Sequence, residues 1–147
     1  MKVEGNPYRS IWFDETDSSV KVIDQTRLPH FFEILTLSTL DDTCHAIHTM
    51  QVRGAPLIGA AAAFGLYLSI KQGELDPEKA GQLLIQTRPT AVNLQWAVDR
   101  VLEAIAGDQD KEQQLDSALS TALAICEEDV SNCTAIGRHG VELIREI

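Results

Sequence analysis

Aromatic residues and basic residues are both scarce in this chain of 147 residues. Phe, Trp and Tyr make up only 5 % of it, so the core must be built mainly from Ala, Leu, Ile and Val. There are 12 Lys and Arg against 22 Asp and Glu, which gives a net charge of −10. Such a chain binds nucleic acid and anionic membranes poorly, so we expect no nucleic-acid and no membrane partner. A small polar ligand or a protein partner fits better.

Cysteine is also scarce, and Cys44, Cys126 and Cys133 include no C-x-x-C pair. An odd number of cysteines does not fit a secreted disulfide framework and predicts a reducing compartment. The N-terminal sequence MKVEGNPYRS has no apolar stretch of signal-peptide length, which indicates a cytoplasmic protein. We expect all three cysteines to be small, buried apolar side chains rather than nucleophiles.

One long apolar run is present, and residues 55–70 read APLIGAAAAFGLYLSI. As a helix this run would span about 24 Å, which is shorter than the hydrocarbon core of a bilayer at about 30 Å. Its alanine, glycine and proline content also suits close packing inside a protein. The run therefore predicts a buried helix.

The periodicity of the chain changes near residue 39, which divides residues 1–147 into two parts of one domain. Residues 1–38 alternate between polar and apolar, so they predict a small antiparallel β unit with strands over residues 10–14, 19–24 and 31–37. Residues 39–147 have helical spacing and predict a helical bundle. The fold class is therefore α+β and mostly helical.

Several helix starts are marked by capping residues or by proline. We expect Thr39 to cap the first helix with Asp42 in an imperfect capping box. Later helices are expected at Pro56, at Pro77 after Asp76, at Val92 with Thr90 as its cap, and from Lys111 onward as one or two helices. The last of these is marked by Leu115, Leu119, Leu123 and Val130.

The most informative stretch for chemistry is VRGAPLIG, at residues 52–59. Pro56 suits the first turn of a helix, and Gly54 can adopt a positive φ. The amides of Gly54 and Ala55 would then lie at the positive end of the helix dipole, where Arg53 could clamp a phosphate. The alternative is a plain turn into a buried helix, with Arg53 solvated or paired with an acid.

A second candidate is Arg88, in the stretch TRPTAVNL at residues 87–94. Pro89 keeps Arg88 out of helical geometry, so this arginine should lie at another helix start. It can equally be a surface arginine in a loop. His45 and His48 share a helix face, but no further ligand completes a metal set, so we expect no metal site.

Three segments make the sequence recognisable as a family member. Residues 50–65 (MQVRGAPLIGAAAAFG) closely resemble the glycine- and alanine-rich signature of methylthioribose-1-phosphate isomerases. Residues 87–97 (TRPTAVNLQWA) resemble the second signature of that family, and residues 23–29 (IDQTRLP) resemble its N-terminal strand and turn. The superfamily also includes ribose-1,5-bisphosphate isomerases and regulatory subunits of the exchange factor that reloads the translation initiator GTPase.

The resemblance implies an aldose–ketose isomerase that converts 5-methylthioribose 1-phosphate into 5-methylthioribulose 1-phosphate in methionine salvage. It implies that Arg53, Gly54, Ala55 and Arg88 bind the substrate, mainly through its phosphate, and that no cofactor is needed. The family's catalytic cysteine lies in a Thr-His-Cys-Asn motif and its catalytic aspartate further on, in a Rossmann-like C-terminal domain. Neither motif occurs in this sequence. We therefore assign no catalytic residue and expect this chain alone to be inactive, as the N-terminal domain of a homodimeric protein whose catalytic domain is missing here.

Three other functions stay open at the level of sequence. A regulatory subunit of the exchange-factor type would bind a sugar phosphate or a protein partner without turnover. A ribose-1,5-bisphosphate isomerase would use the same phosphate contacts for another sugar. A purely structural protein would bind no phosphate at all.

Overall fold

The structure is a computed structural model that describes residues 2–3, 5–108 and 110–145. Five strands precede five helices in this part of the chain. The strands are β1 (Lys2–Val3), β2 (Asn6–Pro7), β3 (Ile11–Asp14), β4 (Ser19–Ile23) and β5 (Ile34–Leu37). The helices are α1 (Leu40–His48), α2 (Ala55–Gln72), α3 (Pro77–Thr87), α4 (Val92–Ile105) and α5 (Lys111–Arg145). This confirms the predicted fold class, a small antiparallel β unit followed by a helical bundle.

Strands β3, β4 and β5 form an antiparallel sheet in that order, with Val20 opposite Leu37. The first two predicted strands are confirmed, but the third begins at Ile34 and not at Phe31. The reason is that Phe31 belongs to the preceding turn, where its amide donates to the Arg27 carbonyl at 3.0 Å. The guanidinium of Arg27 also lies 4.9 Å from the centre of the Phe31 ring. The short β1–β2 hairpin was not predicted.

The sheet packs against α2, which is the central helix of the bundle. The Phe13 ring stacks on Phe64 with 6.3 Å between centroids and meets Tyr67 edge-on at 5.6 Å. Every residue of α2 from Ile58 to Ile70 is buried, as the apolar run predicts. No helix in the described residues has both the length and the apolar character needed to cross a membrane.

From α2 to α5, each helix is antiparallel to the one before it, so α2 and α4 are parallel. Contacts at small residues fix these directions. A Cβ on Gly59 of α2 would lie 3.6 Å from the Cβ of Ala97 in α4, and one on Gly65 would meet Leu84 of the returning α3 at 3.0 Å. Helix α5 starts beside the end of α2, where the Lys111 Nζ donates to the Lys71 carbonyl at 3.0 Å.

Two helix predictions need correction at the level of single residues. Thr90 is exposed and does not cap α4, whose N-cap is Ala91 without a side-chain hydrogen bond. The Ala91 amide donates to the Arg88 carbonyl at 3.0 Å, and this turn makes Ala91 the N-cap, while the helix begins at Val92 as predicted.

Helix α5 is one continuous helix rather than two. It buries Ala118, Ala122 and Ile125, whereas Leu123 and Val130, which marked the helical pattern, are each 40 % exposed. Small side chains face the bundle because α5 packs closely against both α2 and α4. Leu115 and Leu119 are partly buried against the core.

Candidate anion-binding site

The N-terminus of α2 has the backbone conformation that an anion site needs. Gly54 adopts φ +97° and ψ 132° as its N-cap, which confirms the predicted positive φ. A Cβ at Gly54 would meet nothing within 4 Å, so this glycine is required by its conformation and not by crowding. No side chain of the described residues caps this helix start. The first-turn amides therefore point at solvent or at a ligand.

Arg53 stands directly before this helix start and is exposed. Its Nε donates to the Oε1 of Gln25 at 3.3 Å, while the Gln25 amide donates to the Gln51 carbonyl at 2.9 Å. The loop after β4 therefore holds one edge of the guanidinium, and its terminal nitrogens have no hydrogen-bond partner among the described residues. Gln25 was missed as a site residue, although it lies in the residues 23–29 that carry the family resemblance.

Arg88 occupies the turn between α3 and α4 and is half-buried. It is the C-cap of α3 with φ −150° and ψ 79°, so Pro89 does keep it out of helical geometry as expected. Its carbonyl closes the turn that leads into α4.

The close contact between α2 and α4 brings both arginines to one end of the bundle. A Cβ on Gly59 would lie 2.9 Å from the Asn93 carbonyl oxygen, so the second turn of α2 abuts the first turn of α4. The two parallel helices therefore present their N-termini side by side, with Arg53 before one and Arg88 before the other. The two helix dipoles place partial positive charge at this end of a chain of net charge −10, and both arginines belong to the segments that lead into these helix starts. The roles of Arg53, Gly54, Ala55 and Arg88 in binding stay predictions.

The thiols do not form part of this site as nucleophiles. Burial raises the pKa of Cys126 to about 11 and also raises the pKa of Cys44, so both remain protonated at neutral pH. Cys44 and Cys126 are half-buried and Cys133 is exposed, so the prediction that all three cysteines are buried is wrong. Its position on α5 lies beyond the buried face of that helix. Within the described residues, no three His, Cys, Asp or Glu side chains are grouped to hold a metal ion.

Comparison with known proteins assigns the family. The sequence profile of the Initiation factor 2 subunit family matches residues 51–147. This chain belongs to that family. A methylthioribose-1-phosphate isomerase of Methylocella silvestris is 49 % identical over the whole chain, and one of Escherichia coli is 43 % identical. The chain spans 40 % of the length of each of these relatives.

Two solved structures share the fold. The 5-methylthioribose 1-phosphate isomerase of Pyrococcus horikoshii matches with a TM-score of 0.83 and 34 % identity, over 91 % of this chain and 40 % of that one. The delta subunit of translation initiation factor eIF-2B from A. fulgidus matches with a TM-score of 0.73 and 35 % identity, over 84 % and 38 %. Most of this fold is thus shared by an isomerase and by a subunit of a translation factor.

Proposed function

We propose that this chain is the N-terminal, phosphate-binding part of a methylthioribose-1-phosphate isomerase. The observation that carries the proposal is the placement of Arg53 and Arg88 before two adjacent, parallel helix N-termini. Two guanidinium groups and the first-turn amides of α2 suit a phosphate dianion, which accepts several charge-assisted hydrogen bonds. The names of the relatives at 43–49 % identity supply the sugar, 5-methylthioribose 1-phosphate.

In this proposal the chain binds and orients the substrate, and other residues carry out the chemistry. An aldose–ketose isomerisation must open the ring and move hydrogen from C2 to C1, which needs a positioned acid and base. Residues 1–147, with the β unit at 1–38 and the bundle at 39–147, would form one domain. The acid and base would belong to the part of the relatives that this chain does not span. The full-length protein would be a homodimer in the cytoplasm, where the three free cysteines would remain reduced.

Calorimetric titration of the chain with 5-methylthioribose 1-phosphate tests the binding step. Arg53→Gln and Arg88→Gln should each weaken binding about tenfold or more, because each loses charge-assisted hydrogen bonds worth roughly 1.5–3 kcal/mol. Lys79→Gln is the control, since it removes the same charge at the exposed start of α3, at the opposite end of the bundle. If all three variants lose the same affinity, the effect comes from the overall charge and not from a specific site, which would contradict the proposal.

The likeness to the eIF-2B delta subunit favours a second function, that of a regulatory subunit that binds without turnover. A chimera can distinguish the two functions. In this chimera, the chain replaces the corresponding segment of the 49 % identical Methylocella silvestris isomerase. The proposed function predicts that the chimera isomerises 5-methylthioribose 1-phosphate and that Arg53→Gln abolishes most of this turnover. A folded chimera that binds the phosphosugar without converting it would favour the regulatory function.

A further inference from the structure

A cavity of 440 Å³ lies between the first turns of α2, the middle of α5 and the segment before β3. Most of its wall is apolar or thiol, formed by Ile11, Leu57, Ala60, Cys126, Val130 and Cys133. The Tyr8 ring closes one side and is fixed edge-on against Phe32 at 4.9 Å between centroids. A volume of this order accommodates a small metabolite.

The charges around this cavity do not suit a phosphate. The guanidinium of Arg9 is paired with the Glu127 carboxylate, and one of the two hydrogen bonds, Nη2 to Oε2, is 3.2 Å long. Asp129 also lines the cavity and would repel an anion. The uncharged part of a ligand fits better, and the polar residues Ser10 and Thr134 also line the cavity.

The cavity begins at the same helix start as the candidate anion site. Pro56 and Leu57 line it, and they follow directly on Gly54 and Ala55. Ala60, deeper in the wall, is about 7.5 Å further along the helix axis than Ala55. A phosphosugar anchored by its phosphate at the N-terminus of α2 could therefore extend its distal carbon into the cavity.

We propose that this cavity holds the methylthio-bearing end of the phosphosugar, so that its thiol and aliphatic wall selects the substituent on C5. This inference rests on the proposed function, because it assumes that the phosphate binds at Arg53 and Gly54. It adds a second determinant that no phosphate contact supplies: an apolar thioether is favoured over a hydroxyl in this wall. Cys133, at the exposed edge of the wall, becomes a specificity-determining residue.

The test compares three ligands on the chain: 5-methylthioribose 1-phosphate, ribose 1-phosphate and inorganic phosphate. The wild-type chain should prefer the methylthio sugar to ribose 1-phosphate at least tenfold, which is what one or two apolar groups contribute in a hydrophobic pocket. Cys133→Phe fills the cavity from its edge and should remove this preference while leaving the affinity for inorganic phosphate unchanged. Ile136→Phe, one turn further along α5 and 72 % exposed, is the matched control and should retain the preference.

A second readout uses the native thiol and needs no variant. Saturating 5-methylthioribose 1-phosphate should slow the alkylation of Cys133 by iodoacetamide at least fivefold, whereas saturating inorganic phosphate should not. Cys44 on α1 serves as the internal reference. Unchanged Cys133 alkylation with the bound methylthio sugar, or a preference that survives Cys133→Phe, overturns the inference and leaves the proposed function intact. Absence of any binding to the wild-type chain overturns both.

Discussion

At the scale of single residues, Gly59 determines how closely α2 and α4 approach. Its missing side chain lets the Asn93 carbonyl oxygen sit where a Cβ would be only 2.9 Å away. That neighbour is backbone of another helix and cannot rotate aside, so the two helix starts would have to separate to admit a methyl group.

Gly59→Ala should therefore lower the free energy of unfolding by about 1–3 kcal/mol, the usual cost of overpacking a core. Gly137→Ala is the matched control, because a Cβ there meets nothing within 4 Å on an exposed part of α5. The control should stabilise the chain by up to about 1 kcal/mol through helix propensity. Urea denaturation of both variants measures the two effects, and equal signs would contradict the packing argument.

Cys126 should make stability depend on pH in the alkaline range. Its pKa is raised by burial from 9.0 to about 11, so the unfolded chain loses this proton at lower pH than the folded chain does. The contribution of the Cys126 thiol to the free energy of unfolding is thus fully present below pH 9 and is lost as the pH rises from 9 to 11. The difference in unfolding free energy between the wild type and Cys126→Ala, followed by denaturation at each pH, should be constant up to pH 9 and then fall. A difference that stays constant up to pH 11 would show that the thiol is hydrated.

Sequence reasoning at this scale located Arg53, Gly54 and Arg88 correctly in their turns, because proline and glycine restrict the local backbone. It missed Gln25, whose hydrogen bond to Arg53 joins residues 28 positions apart. It also failed for Cys133, since exposure on a long helix depends on where the neighbouring helices end.

At the scale of elements, the ends of the helices differ in how their amides are satisfied. Helix α1 has a complete capping box, in which Thr39 Oγ1 accepts from the Asp42 amide and Asp42 Oδ2 accepts from the Thr39 amide, both at 3.0 Å. Among the described residues, no side-chain hydrogen bond caps α2, α3 or α4. The missing cap therefore does not by itself mark a ligand site, since α3 starts at the opposite end of the bundle from α2 and α4.

Thr39→Ala should cost about 1 kcal/mol of unfolding free energy, because the Asp42 amide loses its acceptor. Thr134→Ala is a suitable comparison, as this hydroxyl only donates back to the Val130 carbonyl at 2.8 Å within exposed helix. Its effect should remain within about 0.5 kcal/mol. Chemical denaturation of the two variants decides the matter; equal effects would mean that the capping box adds no stability.

The sequence predicted most elements because proline, capping residues and hydrophobic periodicity are local signals. It overextended β5 and chose Thr90 instead of Ala91 as the cap of α4, because local turn hydrogen bonds, from Phe31 to Arg27 and from Ala91 to Arg88, override the pattern. The sequence did not decide whether residues 111 onward form one helix or two. The C-terminal half of α5 is mostly exposed, so its hydrophobic periodicity is weak.

At the scale of the whole molecule, the net charge opposes the proposed ligand. A chain of charge −10 repels a phosphate dianion at long range, while the positive region at the helix starts acts only nearby. Screening removes the long-range part first, because the Debye length shrinks from about 30 Å at 0.01 M salt to about 10 Å at 0.1 M.

The association rate constant for 5-methylthioribose 1-phosphate should therefore rise severalfold between 0.01 and 0.15 M salt. Stopped-flow tryptophan fluorescence can measure it, since Trp96 in the first turns of α4 is 46 % exposed. The sugar without its phosphate is the control and should associate at a rate independent of salt. If the association rate constant of the phosphosugar instead falls with salt, the positive groups at the helix starts dominate the electrostatic field even at long range.

The topology was predictable only as a class, because the sequence shows a β unit and helices but not which helices are neighbours. The side-by-side placement of α2 and α4 depends on contacts between residues more than 30 positions apart, such as Gly59 with Asn93. The family resemblance alone predicts that the two arginine-containing segments bind one substrate.

The parallel arrangement of α2 and α4 has one more consequence. The dipoles of adjacent antiparallel helices attract each other, whereas α2 and α4 have their positive ends together, and the packing of the bundle must overcome this repulsion. A dianion bound between the N-termini of α2 and α4 would offset this repulsion, because both positive ends would be attracted to it. Without a bound anion, the N-terminal ends of α2 and α4 should therefore be the first part of the bundle to unfold locally. They are also the end that is suited to binding.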